Sequence, residues 1–137
     1  RWIAESNVLH TGYRAGVWTT IHEAVAETEW VDGEQIEFGF LIQLREEFDS
    51  YMISKGVIVI DNQTVGMVSI EQTFTRASPS QTFTYHHHGE VEVGRHTLSL
   101  ALLYPGQGTP CVLSPQVWFE VRAKRLERFS FESWKIS

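Results

Sequence analysis

An alternation of apolar and polar side chains marks residues 33–46, which read GEQIEFGFLIQLRE. The apolar residues at every second position are Ile36, Phe38, Phe40, Ile42 and Leu44. Successive strand residues point to opposite faces, whereas a helical stripe recurs every third or fourth residue. The spacing therefore predicts a β-strand with one buried face, entered through a turn at Asp32 and Gly33.

A hairpin is predicted directly after this strand. Residues 57–60 are a β-branched run, and residues 65–70 form a second apolar run. Between them lie Asp61, Asn62 and Gln63, which are typical of a turn. Two such runs separated by turn residues predict a pair of antiparallel strands.

Two more strands are predicted near the C-terminus. Leu98, Leu100 and Leu102 alternate within residues 96–104, and a turn follows at residues 105–108. In residues 117–122 the apolar face is formed by Val117, Phe119 and Val121. The opposite face of that strand carries Trp118, Glu120 and Arg122. These three side chains are therefore expected to point outwards.

The remaining segments complete an all-β pattern. Residues 75–81 predict a polar loop, and Thr82 begins another strand. Residues 1–30 predict short strands, and residues 124–137 predict an added or swapped edge strand. Seven to nine short strands with regular turn signals predict one immunoglobulin-like antiparallel β-sandwich domain over residues 1–137.

Charge and cysteine content narrow the function classes. The 137 residues carry a net charge of −6, with acidic residues concentrated between Glu23 and Asp49. This balance argues against a nucleic-acid partner, which would require a basic surface. The single cysteine, Cys111, excludes an internal disulfide and favours a reducing compartment. Because the sequence begins at Arg1, we expect it to be a fragment of a longer protein.

The triplet His86, His87 and His88 raises the question of a metal site. On a strand, the first and third imidazoles share one face, and they need a third ligand, for which His96 and Cys111 are the candidates. Because no spacing guarantees such a ligand, we predict neither a metal nor another cofactor. The sequence also lacks the common motifs of nucleotide-binding and hydrolytic enzymes, and we predict a non-enzyme.

Aromatic side chains outside the core suggest a ligand surface. A sugar ring stacks its C–H groups on the face of an aromatic ring, while charged side chains and histidines bind its hydroxyls. The predicted ligand-binding residues are Trp118, Glu120, Arg122, Tyr85 and His87. The alternative is that the N-terminal segment, the tail or a second subunit covers the indole of Trp118. Trp18 and Trp30 are predicted to be structural, and Trp134 to clamp the tail.

The stretch VEVGRHTLSLALLYPGQGTPCVLSPQVWFEV, with the upstream strand and hairpin, resembles a known family. That family is the C-terminal domain of the ATP-binding subunits of bacterial polysaccharide (O-antigen) ABC transporters. The resemblance implies an immunoglobulin-like sandwich that binds the glycan to be exported. It also implies an ATPase domain earlier in the same chain, a membrane subunit as partner, and a cytoplasmic location at the inner face of the membrane.

Two functions remain open from the sequence. The first is a non-catalytic carbohydrate-binding module that recognises a bacterial polysaccharide for export. Such a module is expected to be a homodimer, since an exposed tail strand offers a route to pairing and a dimer adds avidity. The alternative is an immunoglobulin-like spacer or protein-interaction module of a larger enzyme or surface protein.

Overall fold

The fold consists of β-strands joined by short connections. The computed structural model describes residues 2–6, 15–22, 29–106, 110–114 and 116–124. The strands in these ranges are β1 (Trp2–Ser6), β2 (Val17–His22), β3 (Glu29–Val31), β4 (Glu37–Leu44), β5 (Ser50–Ile60), β6 (Gln63–Thr75), β7 (Ser80–His86), β8 (Gly94–Leu103), β9 (Pro110–Leu113) and β10 (Val117–Arg122). The described ranges contain no helix, and so none that could span a membrane. The all-β prediction is confirmed.

The strands form two sheets. The first sheet has the order β1-β2-β4-β7 and is antiparallel throughout. The second has the order β3-β10-β8-β5-β6, and β9 also pairs with β8. The pairing of β3 with β10 is parallel, which departs from the predicted antiparallel sandwich. Strand β3 lies at the edge of this sheet and runs in the same direction as β10.

The core lies between the inner faces of the two sheets. In β4, which lies between β2 and β7, the alternation seen in the sequence places Phe38, Phe40 and Ile42 inside, each fully buried. The second sheet contributes residues such as Ile58 and Leu100 from the facing side. Each such side chain contributes roughly 1.5–3 kcal/mol through the apolar surface it removes from water. The strand alternation therefore determines most of the hydrophobic core.

The predicted hairpin is the pair β5 and β6, and both strands are longer than expected. Ile60 pairs with Gln63, so the loop has two residues, and Gln63 belongs to the strand rather than to the turn. Asp61 and Asn62 have φ values of 52° and 65°. A two-residue loop with both residues in the left-handed region is a type I′ turn, for which Asp and Asn are suited.

Strand β9 was not predicted. It lies between the turn predicted at residues 105–108 and the strand predicted at residues 117–122. It pairs with the end of β8 on the same edge that β10 occupies further along. Between the two, Ser114 continues the hydrogen bonding to Leu100. Its N–H donates to the Leu100 carbonyl at 2.8 Å, and its hydroxyl accepts from the Leu100 N–H at 2.7 Å. One side chain thus replaces a missing ladder bond.

The structure describes parts of residues 1–30 and none of the tail beyond Lys124. Residues 1–30 contribute β1, β2 and the start of β3, as expected. Trp30 is buried, with its ring edge-on to Phe119 at 5.5 Å between centroids, which confirms its structural role. The predicted tail strand beyond Lys124, including Trp134, lies outside the described residues.

Candidate functional site

Strand β10 presents an exposed tryptophan on the outer face of the second sheet. Phe119 and Val121 of this strand are buried against the first sheet, so their neighbours point away from it. Trp118 is 55% exposed, a large fraction for an indole. Glu120 and Arg122 lie on the same outer face and are also exposed. The structure therefore brings together three of the five predicted ligand-binding residues.

The exposed indole is stacked against an arginine from the neighbouring strand. The guanidinium carbon of Arg95 lies 4.3 Å from the centre of the Trp118 ring. In the β8–β10 ladder, Arg95 is opposite Glu120 and Trp118 is opposite Thr97. The side chains of Arg95 and Trp118 therefore meet diagonally across the two strands. A cation–π contact of this kind contributes about 0.5–1 kcal/mol at an exposed site. It holds the indole in one orientation and covers one of its faces.

The edge strand β3 adds a further charge to this surface. Glu29 pairs with Glu120 in the parallel β3–β10 ladder, and its carboxylate lies 3.7 Å from Nε of Arg122. A shallow depression of about 270 Å³ is lined by Glu29 and Glu120 together with Trp118 and Arg95. We call the set Glu29, Arg95, Trp118, Glu120 and Arg122 the Trp118 surface. It carries one large apolar group inside a rim of two acidic and two basic side chains.

Tyr85 and His87, the other two predicted ligand-binding residues, do not belong to this surface. Tyr85 lies opposite Phe38 in the β7–β4 ladder, and side chains opposite each other share a face. Its ring is therefore directed inwards, with its centroid 5.5 Å from that of Phe38. His87 follows in the same phase and is also buried. Both residues belong to the other sheet and contribute to the interior.

The buried Tyr85 and His87 are linked to each other. The Tyr85 hydroxyl lies 2.9 Å from Nδ1 of His87. Burial raises the pKa of Tyr85, and burial together with the neighbouring His88 lowers the pKa of His87. Burial thus favours the neutral form of both groups. The hydroxyl also lies against the backbone of Gly66 on β6, where an added Cβ atom would clash with the Tyr85 oxygen.

The residues considered for metal binding are separated in the structure. His86 pairs with Glu37 at 2.9 Å on the outer face of the first sheet. Cys111 is buried in the core, where burial raises the pKa of its thiol, and its sulfur lies 3.3 Å from the Leu102 carbonyl. Across the described ranges, no group of three or more His, Cys, Asp and Glu is arranged to hold a metal ion.

His96, the other candidate ligand, has a structural role. Its Nδ1 lies 2.6 Å from Asp61 Oδ2, its Nε2 lies 2.6 Å from the Glu92 carbonyl, and its ring stacks on Phe119 at 5.3 Å between centroids. Burial opposes its charged form, but the bonds to Asp61 and to the Glu92 carbonyl outweigh that effect and raise the pKa of His96.

A pocket of about 320 Å³ opens at one end of the sandwich. It lies between the connection from β3 to β4 and the segment after β7, which are joined by a 2.9 Å bond from the His87 N–H to the Ile36 carbonyl. Buried side chains, including those of Trp30 and Val121, line part of it. We call it the end pocket. It shares no lining residue with the depression at the Trp118 surface.

Comparisons with solved structures identify similar β-sandwich domains. The CARDB domain of a Pyrococcus furiosus protein in complex with di-metal ions has a TM-score of 0.52 at 7% identity, covering 85% of this chain and 94% of that one. The DNA glycosylase AlkC of Pseudomonas fluorescens has a TM-score of 0.52 at 17% identity, covering 80% and 31%. The fibronectin(III)-like modules of Clostridium thermocellum CbhA have a TM-score of 0.48 at 12% identity, covering 78% and 99%. No family model matches this chain, and no curated protein does.

These likenesses show the fold alone. The chain is an immunoglobulin-like β-sandwich, as predicted, and the similar domains are of the fibronectin(III)-like and CARDB kinds. Sequence identities between 7% and 17% carry no information about ligands. The resemblance to the polysaccharide transporter domain therefore remains a hypothesis about function.

Two residues of the Trp118 surface were missed from the sequence. Arg95 is in phase with Thr97 and out of phase with Leu98, so alternation within β8 could have placed it on the outer face. Its contact with Trp118 depends on the register between β8 and β10, which a single sequence does not reveal. Glu29 had no such signal, because the parallel pairing of β3 with β10 was not foreseen.

Proposed function

We propose that this domain is a non-catalytic immunoglobulin-like interaction module of a larger protein, and that it binds a protein partner through the Trp118 surface. The observation that carries the proposal is the 55% exposure of Trp118 at the centre of a charged rim. Tryptophan and arginine are enriched among the residues that dominate binding energy at protein interfaces. The contact with Arg95 adds to this, since it orders both side chains before binding and so lowers the entropic cost of association.

The charged rim of the Trp118 surface is expected to determine its specificity for a partner. Glu29 and Glu120 are acidic, whereas Arg95 and Arg122 are basic, so charges of both signs surround the indole. Such a rim contributes mainly to partner selection and association rate, because exposed ion pairs add little free energy. The favourable free energy is expected to come from burial of Trp118, and the charges are expected to select a partner with a complementary pattern.

A carbohydrate ligand is the second candidate, as the resemblance to the O-antigen transporter domains implies. It is supported by the exposed indole beside two side chains that can bind hydroxyl groups, Glu120 and Arg122. In this version the polysaccharide is selected for export, the domain is a homodimer attached to an upstream ATPase domain, and the complex lies at the cytoplasmic face of the membrane. Arg95 favours the protein partner, because it covers an indole face on which a sugar would otherwise stack.

A photo-crosslinking amino acid at residue 118 tests the first candidate, with the same group at Met67 as a matched control. Met67 is 61% exposed and lies on β6, three strands away from β10 in the same sheet. The proposal predicts one defined protein adduct from position 118 in extracts of the natural source. The protein found in that adduct, once purified, should bind the domain again. Equal adducts from both positions, or failure of the purified protein to rebind, would contradict it.

A glycan array of bacterial polysaccharides tests the second candidate. Binding by the natural domain that is lost in Trp118→Ala and kept in Met67→Ala would favour a carbohydrate ligand. Thermal unfolding of both variants serves as the control for folding. Absence of binding to all polysaccharides on the array removes the carbohydrate candidate and leaves the protein-partner proposal unaffected.

A further inference from the structure

The free edge of strand β7 lacks the features that protect the other sheet edges of this domain. A strand edge exposes unpaired backbone groups, and natural proteins protect it by shortness, charged side chains, proline or β-bulges. Strands β3 and β9 have three and four residues, and the pairings of β1 with β2 and of β6 with β5 each contain a register shift. Strand β7 pairs with β4 without a shift over seven residues, which include no Lys, Arg, Asp, Glu or Pro. Among the described strands, β7 therefore presents the longest regular edge.

The backbone groups that face this edge belong to the even-numbered residues of β7. At the two ends of the β4–β7 ladder, the Leu44 N–H donates to the Pro79 carbonyl at 2.7 Å, and the His87 N–H donates to the Ile36 carbonyl at 2.9 Å. Because hydrogen-bonded pairs alternate along an antiparallel ladder, the odd-numbered residues of β7 bond to β4. The N–H and carbonyl groups that point away from β4 are those of Ser80, Thr82, Thr84 and His86. Within the described ranges, no group forms a hydrogen bond with them.

This edge is complementary to the same edge of a second copy. In an antiparallel pair centred on Phe83, Thr82 lies opposite the partner's Thr84, and Ser80 lies opposite the partner's His86. All the free backbone groups then meet as hydrogen-bonded pairs. Opposed threonines are a favourable cross-strand pair, and no acidic or lysine or arginine side chain of β7 meets its like. The two Phe83 rings, each half-buried in its own chain, come side by side at the twofold axis.

We propose that two copies of this domain form a dimer by antiparallel pairing of β7 with β7, which joins the first sheet of each copy into one continuous sheet. This edge differs from the tail strand, which the sequence suggested as the route to pairing. A strand pair of seven residues buries less surface than a permanent dimer does, so the dimer is reversible and forms as the concentration rises. The Trp118 surface lies on the second sheet, so the dimer does not depend on what binds there.

Sedimentation velocity between about 10 μM and about 1 mM protein tests for the dimer. The natural protein should change from monomer to dimer over this range. Amide hydrogen exchange, measured by NMR at both ends of the range, tests where the copies meet. The N–H groups of Thr82 and Thr84 should be protected at the high concentration only. A monomer throughout, or a dimer in which these two N–H groups remain unprotected, overturns the proposal.

Two pairs of substitutions at exposed threonines test the register of the pairing. Thr82→Lys with Thr84→Lys opposes like charges across the axis and should weaken the dimer roughly tenfold or more, whereas Thr82→Lys with Thr84→Glu opposes unlike charges and should preserve it. Thr64→Lys with Thr73→Lys, at exposed positions of β6, is the matched control and should dimerise as the natural protein does. Thermal unfolding checks the fold of each variant. Equal weakening by both β7 pairs, or none by the double lysine, overturns the proposal.

Discussion

Nδ1 of His96 lies 2.6 Å from Oδ2 of Asp61, and this pair joins the β5–β6 turn to strand β8. The other oxygen of Asp61 accepts the Thr97 N–H at 3.0 Å, and Nε2 of His96 faces the Glu92 carbonyl. Since both ring nitrogens of His96 face oxygen acceptors, the protonated imidazole can donate to both, which favours the charged form. A candidate metal ligand in the sequence is thus held by two contacts with oxygen atoms of the described residues.

This pair predicts a pH window for stability. The pKa of His96 is raised, so its contribution is complete below about pH 6.5 and is lost as the pH rises through the folded-state pKa. Partial burial opposes the charged form of Asp61, but the bonds from Thr97 and His96 lower its pKa. Its contribution is therefore complete above about pH 3.8 and is lost as the pH falls through the folded-state value.

Urea unfolding between pH 4 and pH 9 measures this dependence, with Asp61→Asn as the test variant. Asparagine keeps the left-handed turn but removes the charge. We expect a loss of about 1 kcal/mol near pH 6, a modest value because the carboxylate is half exposed. The decline of stability above pH 6.5 should also flatten in the variant. A decline that is identical in both proteins would show that another group causes it.

The type I′ turn predicts a difference between two substitutions at Asn62. Both Asn62→Gly and Asn62→Ala remove the 2.7 Å hydrogen bond from Gln116, so that loss cancels in the comparison. Only alanine has a Cβ atom that disfavours a φ of 65°. The alanine variant should therefore be less stable by about 1 kcal/mol, measured by urea unfolding. Equal stabilities would mean that the turn does not adopt this conformation.

The contact between Gly66 and Tyr85 predicts a coupled pair of substitutions. Gly66→Ala places a methyl group on the Tyr85 hydroxyl and should cost about 1–3 kcal/mol of stability through overpacking. In a protein that already carries Tyr85→Phe, the same alanine should cost less, because the clashing oxygen is gone. A double-mutant cycle measures this coupling. Strictly additive effects would contradict the close packing of β6 against β7.

The hydrogen bond from the Leu100 N–H to the Ser114 hydroxyl is expected to contribute to the free energy of unfolding. Ser114→Ala leaves the N–H of Leu100 without its acceptor inside the sandwich, and we expect a loss of about 1–3 kcal/mol. Ser50→Ala is the matched control, because Ser50 is exposed at the start of β5. Chemical denaturation of both variants measures the difference. A loss in Ser114→Ala no larger than in the control would show that the hydroxyl does not replace the ladder bond.

Alternation along single strands predicted much of this fold. It located β4, the β5–β6 hairpin, β8 and β10, and it placed Trp118 on the outside. It also contained the signal for Tyr85, since Phe83 and Tyr85 are apolar while Thr82 and Thr84 are polar. The prediction that Tyr85 lies outside the core, among the ligand-binding residues, overlooked that phase. Its inward orientation was therefore predictable, and only the interpretation failed.

Relationships between distant strands were beyond a single sequence. The stacking of Arg95 on Trp118 needs the register of β8 against β10, and the position of Glu29 needs a parallel pairing at the sheet edge. The short strand β9 depends on an edge left open by β10. These features depend on how the strands pair with one another. Periodicity shows only which side chains of a single strand lie on each of its two faces.

Affinity for the partner identified through residue 118 tests the binding role of the Trp118 surface most directly. Calorimetric titration should show that Trp118→Ala weakens binding by roughly thirtyfold or more, as expected for a residue worth at least 2 kcal/mol at an interface. Met67→Ala should change it less than threefold, and both variants should unfold at nearly the natural temperature. Equal affinities for the two variants would contradict the account.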